Sequence, residues 1–294
     1  MHHAKLPTSS LGCEADLAFA IKEHRLSESG KAVEYIPSRY VGGALPQSVK
    51  IAVVHFTYGA GAKSSANWFK DPKNPGSSAH VVIDRDGTVI QCVPFSTIAW
   101  HAGKSRLRDL VGLNQYSIGI ELANWGYLAR SGEGWASYSG AKIAKPFIGA
   151  HKNGNPDKGH LPIGWETYPA AQFQSTVELV RALAAAYGVE EVVGHDDISP
   201  GRKWDPGPAF DMARFRNQVF GDRKDMGDIR LKVLVAEGLN LRTGPGIQFE
   251  AKQMLPVDTV VEPISEDGLW VCVSVIAENS EPTATGWVHS RYIG

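Results

Sequence analysis

The chain has 294 residues, 43% of them hydrophobic and 21% charged, a globular balance that excludes wholesale disorder. Its 30 basic and 31 acidic residues leave a net charge of −1 and a pI near 6.8, without the basic footprint of a dedicated nucleic-acid binder, which sits above about pI 9. No apolar run approaches the ~18 residues needed to cross a bilayer, so neither a membrane span nor a nucleic-acid partner is expected.

Residues 1–49 carry Pro7, Pro37 and Pro46 with little periodicity and are expected to form an irregular lead-in packed on the outside. They lack the uninterrupted apolar stretch of about 7–15 residues that marks a secretory signal. Ser-Leu-Gly-Cys, ending at Cys13, resembles a lipoprotein cleavage box but has no apolar core ahead of it, so synthesis without Sec export is expected. Cys13, Cys92 and Cys272 are too few and too far apart for a disulfide framework or a cysteine zinc knuckle.

IAVVHFT (51–57) is a β-branched apolar run of the kind that makes a buried strand. SSANWFK (64–70) suits a helical turn capped by Ser64 or Ser65. AHVVIDRDGTVIQCVP (79–94) reads as a hairpin turning at Asp86-Gly87. YSIGIELAN (116–124) is a second buried strand, and 125–165 is a long Gly-, Asn-, Pro- and Lys-containing insertion without a repeat. From Pro169 to Tyr187, Phe173, Val177, Val180, Leu183 and Ala184 recur at helical spacing, with Gly188 placed to end the helix. VEEVVGH (189–195) is a strand ending in histidine, and 208–220 reads as another amphipathic helix.

GDRKDMGD (221–228) reads as a linker, and beyond it 229–294 alternates short β-branched runs with Gly/Pro turns, the pattern of a small all-β barrel. This last segment is acidic, with five basic against eight acidic residues. The expected organisation is a lead-in over 1–49, an α/β unit over 50–220 with a mixed central sheet flanked by helices, the linker 221–228, and the barrel 229–294.

The chemistry-bearing residues sit at strand ends. His55 lies in VVHFT, Glu121 in GIELAN, and His195 opens GHDDISPGRKWDPG, which also holds Lys203 and Asp205. Together they offer two imidazoles and a carboxylate for a metal, plus a separate Glu and Lys. A catalytic zinc site keeps three protein ligands and one open position, and two His with one carboxylate is such a set. Lys203 and Asp205, two apart, project to the same side of extended chain and can face one cavity. Each also has a structural reading. A lone His in an apolar strand is more often a packed core residue, as His80 and His101 are when taken singly. Glu121 amid Ile118, Ile120 and Leu122 is a solvated residue if it faces outward, and Arg202 and Lys203 alone are surface charge.

The succession VVHFT, SSAHVVIDRDGTVIQCVP, AWHAGKS, YSIGIELAN and VVGHDDISPGRKWDPG resembles the zinc-dependent N-acetylmuramoyl-L-alanine amidases of the type-2 amidase family, relatives of the peptidoglycan recognition proteins, over roughly residues 50–220. The resemblance implies one Zn2+ per chain held by His55, His195 and Asp205, Glu121 as the acid/base that activates water, and Lys203 stabilising the oxyanion. It places His80, Trp100, His101 and Asn124 near the substrate groove. Residues 235–293 resemble a bacterial SH3-like domain, which implies cell-wall binding; a passive appendage is the plainer alternative.

The implied function is hydrolysis of the amide between N-acetylmuramic acid and the L-alanine of the stem peptide, with peptidoglycan or muropeptides as partner. The alternatives are a non-catalytic peptidoglycan-binding protein on the same fold, or a cytoplasmic amidase recycling anhydro-muropeptides. The missing Sec signal suits either that recycling role or a phage-type lysin reaching the wall by another route. An appended wall-binding module favours intact wall, because tethering raises the local concentration of the catalytic unit.

Overall fold

The structure, a computed structural model, describes residues 18–46, 49–157, 159–221, 230–267, 269–277 and 282–294. The Cys13 segment and residues 222–228 of the expected linker lie outside them. The chain divides into two units, Met1–Gly221 and Asp222–Gly294.

A six-stranded mixed sheet organises the first unit. From edge to edge its strands are Glu191–Gly194, Ile51–Phe56, Ser117–Leu122, Val81–Ile83, Val89–Gln91 and Glu34–Tyr35. The first four run parallel; Val89–Gln91 turns back antiparallel as the return arm of the Asp84–Gly87 hairpin. The three central strands read as near-continuous apolar runs because both faces of the sheet are covered.

Strand alternation sorts those residues into two sets. Ala52, Val54, Ile118, Ile120, Leu122, Val81 and Ile83 face the main core, packed with Val177, Val180 and Leu183 of the long helix Ala170–Tyr187 and with Phe215 of the helix Met212–Phe220. Gly188 ends the long helix at φ 71°, a left-handed conformation that costs a residue without Cβ little. On the opposite face two smaller cores form side by side. Val82 packs with Ala62, Ala66 and Phe69 of the helix Ala62–Lys70. Ile51, Val53 and Val193 pack with Ala102, Leu113 and Ile198. His55, Glu121 and His101 border a cavity on this face.

Several expectations change. The lead-in is not irregular where described: Phe19–Lys22 and Arg25–Glu28 pair as a hairpin, and Phe19 and Leu26 enter the main core. The signal is weak in sequence because each strand contributes few core residues among charged ones. The helix begins at Ala62, not Ser64, and neither serine caps it. Both hydroxyls donate back to the Gly61 carbonyl, while Asp84 from the hairpin turn accepts from Ala62 N at 2.9 Å. The insertion 125–165 carries strands of its own, Ala129–Ser131, Gly134–Ala136 and Lys142–Ile143 in one small sheet and Phe147–Gly149 with Ile163–Trp165 in another. His195 opens the one-turn helix His195–Ile198 rather than ending a strand.

The second unit is a six-stranded antiparallel sheet ordered Leu231–Lys232, Val260–Asp267, Trp270–Ile276, Pro282–His289, Leu239–Arg242 and Ala251–Leu255. Val233, Leu241, Val261, Val273 and Val288 fill its core completely buried. No helix among the described residues is long and apolar enough to cross a membrane.

Candidate active site

Parallel pairing carries three chemical side chains to one level. Glu121 is the register partner of His55, and Gly194 that of Val54, so His195 emerges one step further beside His55. All three stand at the carboxyl ends of parallel strands, where open α/β sheets place their ligands. Asp205 arrives on the loop after His195–Ile198, tied back by a hydrogen bond from Asp196 N to its carbonyl at 2.8 Å. The side chains border a cavity of about 780 Å³ with Lys203 also in its wall.

His55 Nδ1, His195 Nδ1 and Asp205 Oδ2 converge, with separations of 2.8 Å between the two nitrogens and 2.9 and 2.8 Å from these to the oxygen. All three residues are buried, and their ligand atoms form a group that could hold a metal ion. Burial, and then the nearby His195, lower the His55 pKa to about 4, which leaves a neutral imidazole. Burial opposes ionisation of Asp205, but the positive charge and ring protons available from His195 and then His55 outweigh it and hold the carboxyl well below its usual range. Neutral imidazoles and an ionised carboxylate are the forms in which these residues ligate metals.

Glu121 differs. Its Oε2 is buried, and among the described residues no group donates to it. Burial, reinforced by the Asp205 carboxylate and opposed by Lys203, raises its pKa to about 8. A carboxyl raised toward neutrality beside a depressed one is the arrangement that separates a proton carrier from a ligand.

The remaining expected site residues divide. His101 borders the cavity and touches His55, with Nδ1 3.0 Å from His55 Nε2. His80, Trp100 and Asn124 do not line the cavity. His80 is a fully buried core residue whose Nε2 donates to the Thr97 carbonyl and whose Nδ1 accepts from Gly119 N. Asn124 is buried and pins the root of the insertion, donating to the carbonyls of Glu166 and Thr167 and accepting from Gly126 N. Trp100 is exposed and lies against the Gly42 backbone.

Other residues of the site escape sequence reasoning. Arg202 is no idle surface charge: its Nη2 donates to the carbonyls of Ala102 and Lys104 and to Ser199 Oγ. The insertion grips the loop that carries two of the converging side chains. His151 Nε2 meets Asp196 Oδ2 at 3.0 Å, Asn153 donates to the Asp196 carbonyl, and Trp204 Nε1 donates to the Gly154 carbonyl. The insertion also supplies Trp125, Tyr127 and Tyr138 to an aromatic cavity wall. There Tyr58, at the left-handed φ of 53°, stacks on Tyr138 at 4.6 Å and packs against Tyr127 at 4.9 Å. Arg85 and Glu166 clamp the base of this wall with two hydrogen bonds of 2.9 and 2.8 Å, while Glu166 also accepts from Trp125 N.

Residues 45–208, more than half of the chain, match the N-acetylmuramoyl-L-alanine amidase family. The chain belongs to that family. Residues 237–294 match the bacterial SH3 domain. The chain is 37% identical over 141 residues to the 1,6-anhydro-N-acetylmuramyl-L-alanine amidase AmpD of Escherichia coli, a match covering 47% of this chain and 56% of that protein. It is 35% identical over 133 residues to the N-acetylmuramoyl-L-alanine amidase AmiD of the same organism, covering 45% and 38%. The chain thus spans about half the length, or less, of these curated relatives. The solution structure of Citrobacter freundii AmpD superposes with a TM-score of 0.42 at 27% identity, covering 70% of this chain and 98% of that one.

Proposed function

We propose that the chain is a zinc-dependent hydrolase of the amide between N-acetylmuramic acid and the L-alanine of the stem peptide, with one zinc held by His55, His195 and Asp205. The observation that carries this reading is the convergence of those three ligand atoms beside the buried, unpartnered Oε2 of Glu121. The donor set fits zinc in kind: two nitrogens and one carboxylate oxygen, three ligands with a side left toward the cavity. It fits in size, because tetrahedral ligands ~2.0–2.1 Å from zinc stand about 3.3 Å apart, so each atom moves outward by only ~0.3 Å. A zinc ion bound there supplies Lewis acidity, polarising a carbonyl and lowering the pKa of water.

Glu121 takes the proton of the attacking water on Oε2 and returns it to the departing alanine nitrogen, a shuttle that suits a cavity-bordering carboxyl whose buried Oε2 has no partner among the described residues. Lys203 offsets the negative charge that builds on the carbonyl oxygen, at a cavity position two residues from Asp205. His55, a neutral imidazole, and His195 are held in orientation by their hydrogen bonds. Tyr58, Tyr127 and Tyr138 give the cavity one uncharged aromatic wall, able to hold a sugar face or an apolar stem residue.

In this reading 50–220 is the catalytic domain, 221–228 the linker and 229–294 the wall-binding domain, so the substrate is intact peptidoglycan. A second reading, action on soluble anhydro-muropeptides, is favoured by the 37% identity to a 1,6-anhydro amidase. Mass spectrometry of products from purified sacculi and from anhydro-muropeptides tests both. Release of stem peptides with free N-terminal L-alanine supports the bond assigned; turnover of the soluble substrate alone selects the recycling reading; turnover of neither overturns both.

A further inference from the structure

We propose that His101 is a positioning residue which, anchored by Ser117 and given room by Gly119, fixes His55 in the tautomer that presents its Nδ1 lone pair to the metal site. The proposal rests on the zinc reading for its metal and on proton accounting for its direction.

The Leu113 carbonyl only accepts. Ser117 Oγ lies 2.6 Å from it and donates its single proton there. Toward His101 Nε2, 3.3 Å away, Ser117 Oγ is therefore an acceptor, and the His101 proton sits on Nε2. A neutral imidazole has one N–H, so His101 Nδ1 accepts, and the nitrogen facing it at 3.0 Å, His55 Nε2, must donate. His55 is left with a lone pair on Nδ1, the atom that meets His195 and Asp205.

The partner imidazole is set by the next residue along. His195 Nε2 lies 3.1 Å from the Ala102 carbonyl and donates to it, which leaves its Nδ1 as the free lone pair too. Consecutive residues, the side chain of His101 and the carbonyl of Ala102, thus orient both histidines. Their backbone is pinned, since Asn114 Oδ1 accepts from His101 N at 3.0 Å and Ala102 N at 2.7 Å.

One strand face encodes the support. Ser117, Gly119 and Glu121 alternate on the same side of Ser117–Leu122. Ser117 anchors the His101 ring, and Glu121 reaches the cavity. At Gly119 a Cβ would stand 2.3 Å from His101 Cγ, so any side chain there displaces the ring. His101 is 8% exposed with both ring nitrogens engaged, a supporting residue rather than a substrate contact.

The test is zinc affinity, measured on the metal-stripped full chain by titrating zinc against a chromogenic chelator, with histidine tautomers read from long-range ¹H–¹⁵N spectra of the zinc-loaded protein. His101→Leu, which cannot accept, is expected to weaken zinc binding about 10–100-fold. His101→Asn, whose amide oxygen can stand near the Nδ1 position, should recover much of the loss. Should His101→Leu fail to fold, Ser117→Ala, which deletes a single oxygen, carries the same readouts with a smaller loss. Wild-type affinity in His101→Leu or, where that variant does not fold, in Ser117→Ala, or a His101 protonated on Nδ1 in the zinc-loaded wild type, overturns the proposal. A wild-type chain that binds no zinc overturns the metal reading and the positioning role with it.

Discussion

Glu121 and His55 stand opposite each other in register on adjacent parallel strands, both bordering the same cavity. Neighbouring strands lie ~4.8 Å apart, so this pairing sets a carboxyl beside an imidazole without help from any loop. The burial of Glu121 is costly, and it is borne by the other face of the same strand. Ile118, Ile120 and Leu122 are fully buried there, each contributing roughly 1.5–3 kcal/mol.

Removing a ligand should remove the metal. The wild type is expected to retain one zinc through dialysis and His195→Ala and Asp205→Asn to lose it, as measured by elemental analysis, with hydrolysis lost in parallel. A strong chelator should abolish wild-type activity and added zinc restore it. Stoichiometric zinc in His195→Ala would exclude the ligand set.

Glu121→Gln should retain zinc and lose about 10²–10⁴-fold in kcat. The same substitution should stabilise the metal-free fold in a pH-dependent way. The wild-type carboxyl titrates near 8 when folded and near 4.5 when unfolded, so below about 4.5 both states hold the proton and the residue costs nothing. Between 4.5 and 8 only the folded state holds it, and wild-type stability falls as pH rises. The Tm advantage of the variant should therefore grow across that window and level off above 8. A rise of roughly 10–20 °C across the window is expected, as a carboxyl titrating near 8 in place of 4.5 forfeits ~5 kcal/mol and ~1 kcal/mol moves Tm by about 2–4 °C in a unit of this size. A gap independent of pH would show that Glu121 is not the group titrating.

Lys203→Ala should lower kcat by about 10²–10³-fold, the scale of a lost oxyanion contact, while KM changes little. A KM effect with kcat preserved would make Lys203 a substrate-binding residue instead.

Arg85 and Glu166 are largely buried and paired through two hydrogen bonds. Glu166→Ala leaves the guanidinium without its carboxylate, though still bonded to the Ala60 carbonyl, and should cost about 1–3 kcal/mol of stability, read by chemical denaturation. Because Glu166 also accepts from Trp125 N, the fluorescence of the aromatic wall should shift as well. Wild-type stability would reduce the pair to a surface contact.

A chain ending at Gly221 should fold, bind zinc and cleave a small muropeptide at near-normal rate, since His55, Glu121, His195, Lys203 and Asp205 all precede that point. On intact sacculi it should slow, because tethering by the second unit is lost. Equal loss on both substrates would mean that the second unit completes the active site, and no loss on either that it is passive.

The sequence by itself determined what depends on neighbours a few residues apart. Alternation and β-branching mark the strands that hold His55 and Glu121, Asp86-Gly87 marks the hairpin turn, and helical spacing with Gly188 marks the long helix. Motif order brings His55, Glu121, His195, Lys203 and Asp205 to notice, and these five meet at one cavity. Only the tertiary structure decided what depends on register and on partners distant in sequence. Asp84 caps a helix that begins 22 residues earlier, and the insertion folds against the loop between His195 and Asp205. His80 and His101, alike in sequence, part company because the ring nitrogens of one bond to the backbone at Thr97 and Gly119 while a ring nitrogen of the other meets His55. Ser117 and Gly119 carry no chemical signature at all. Their place beside His101 exists only once two strands and a loop have closed on one another, a contact that no local pattern records.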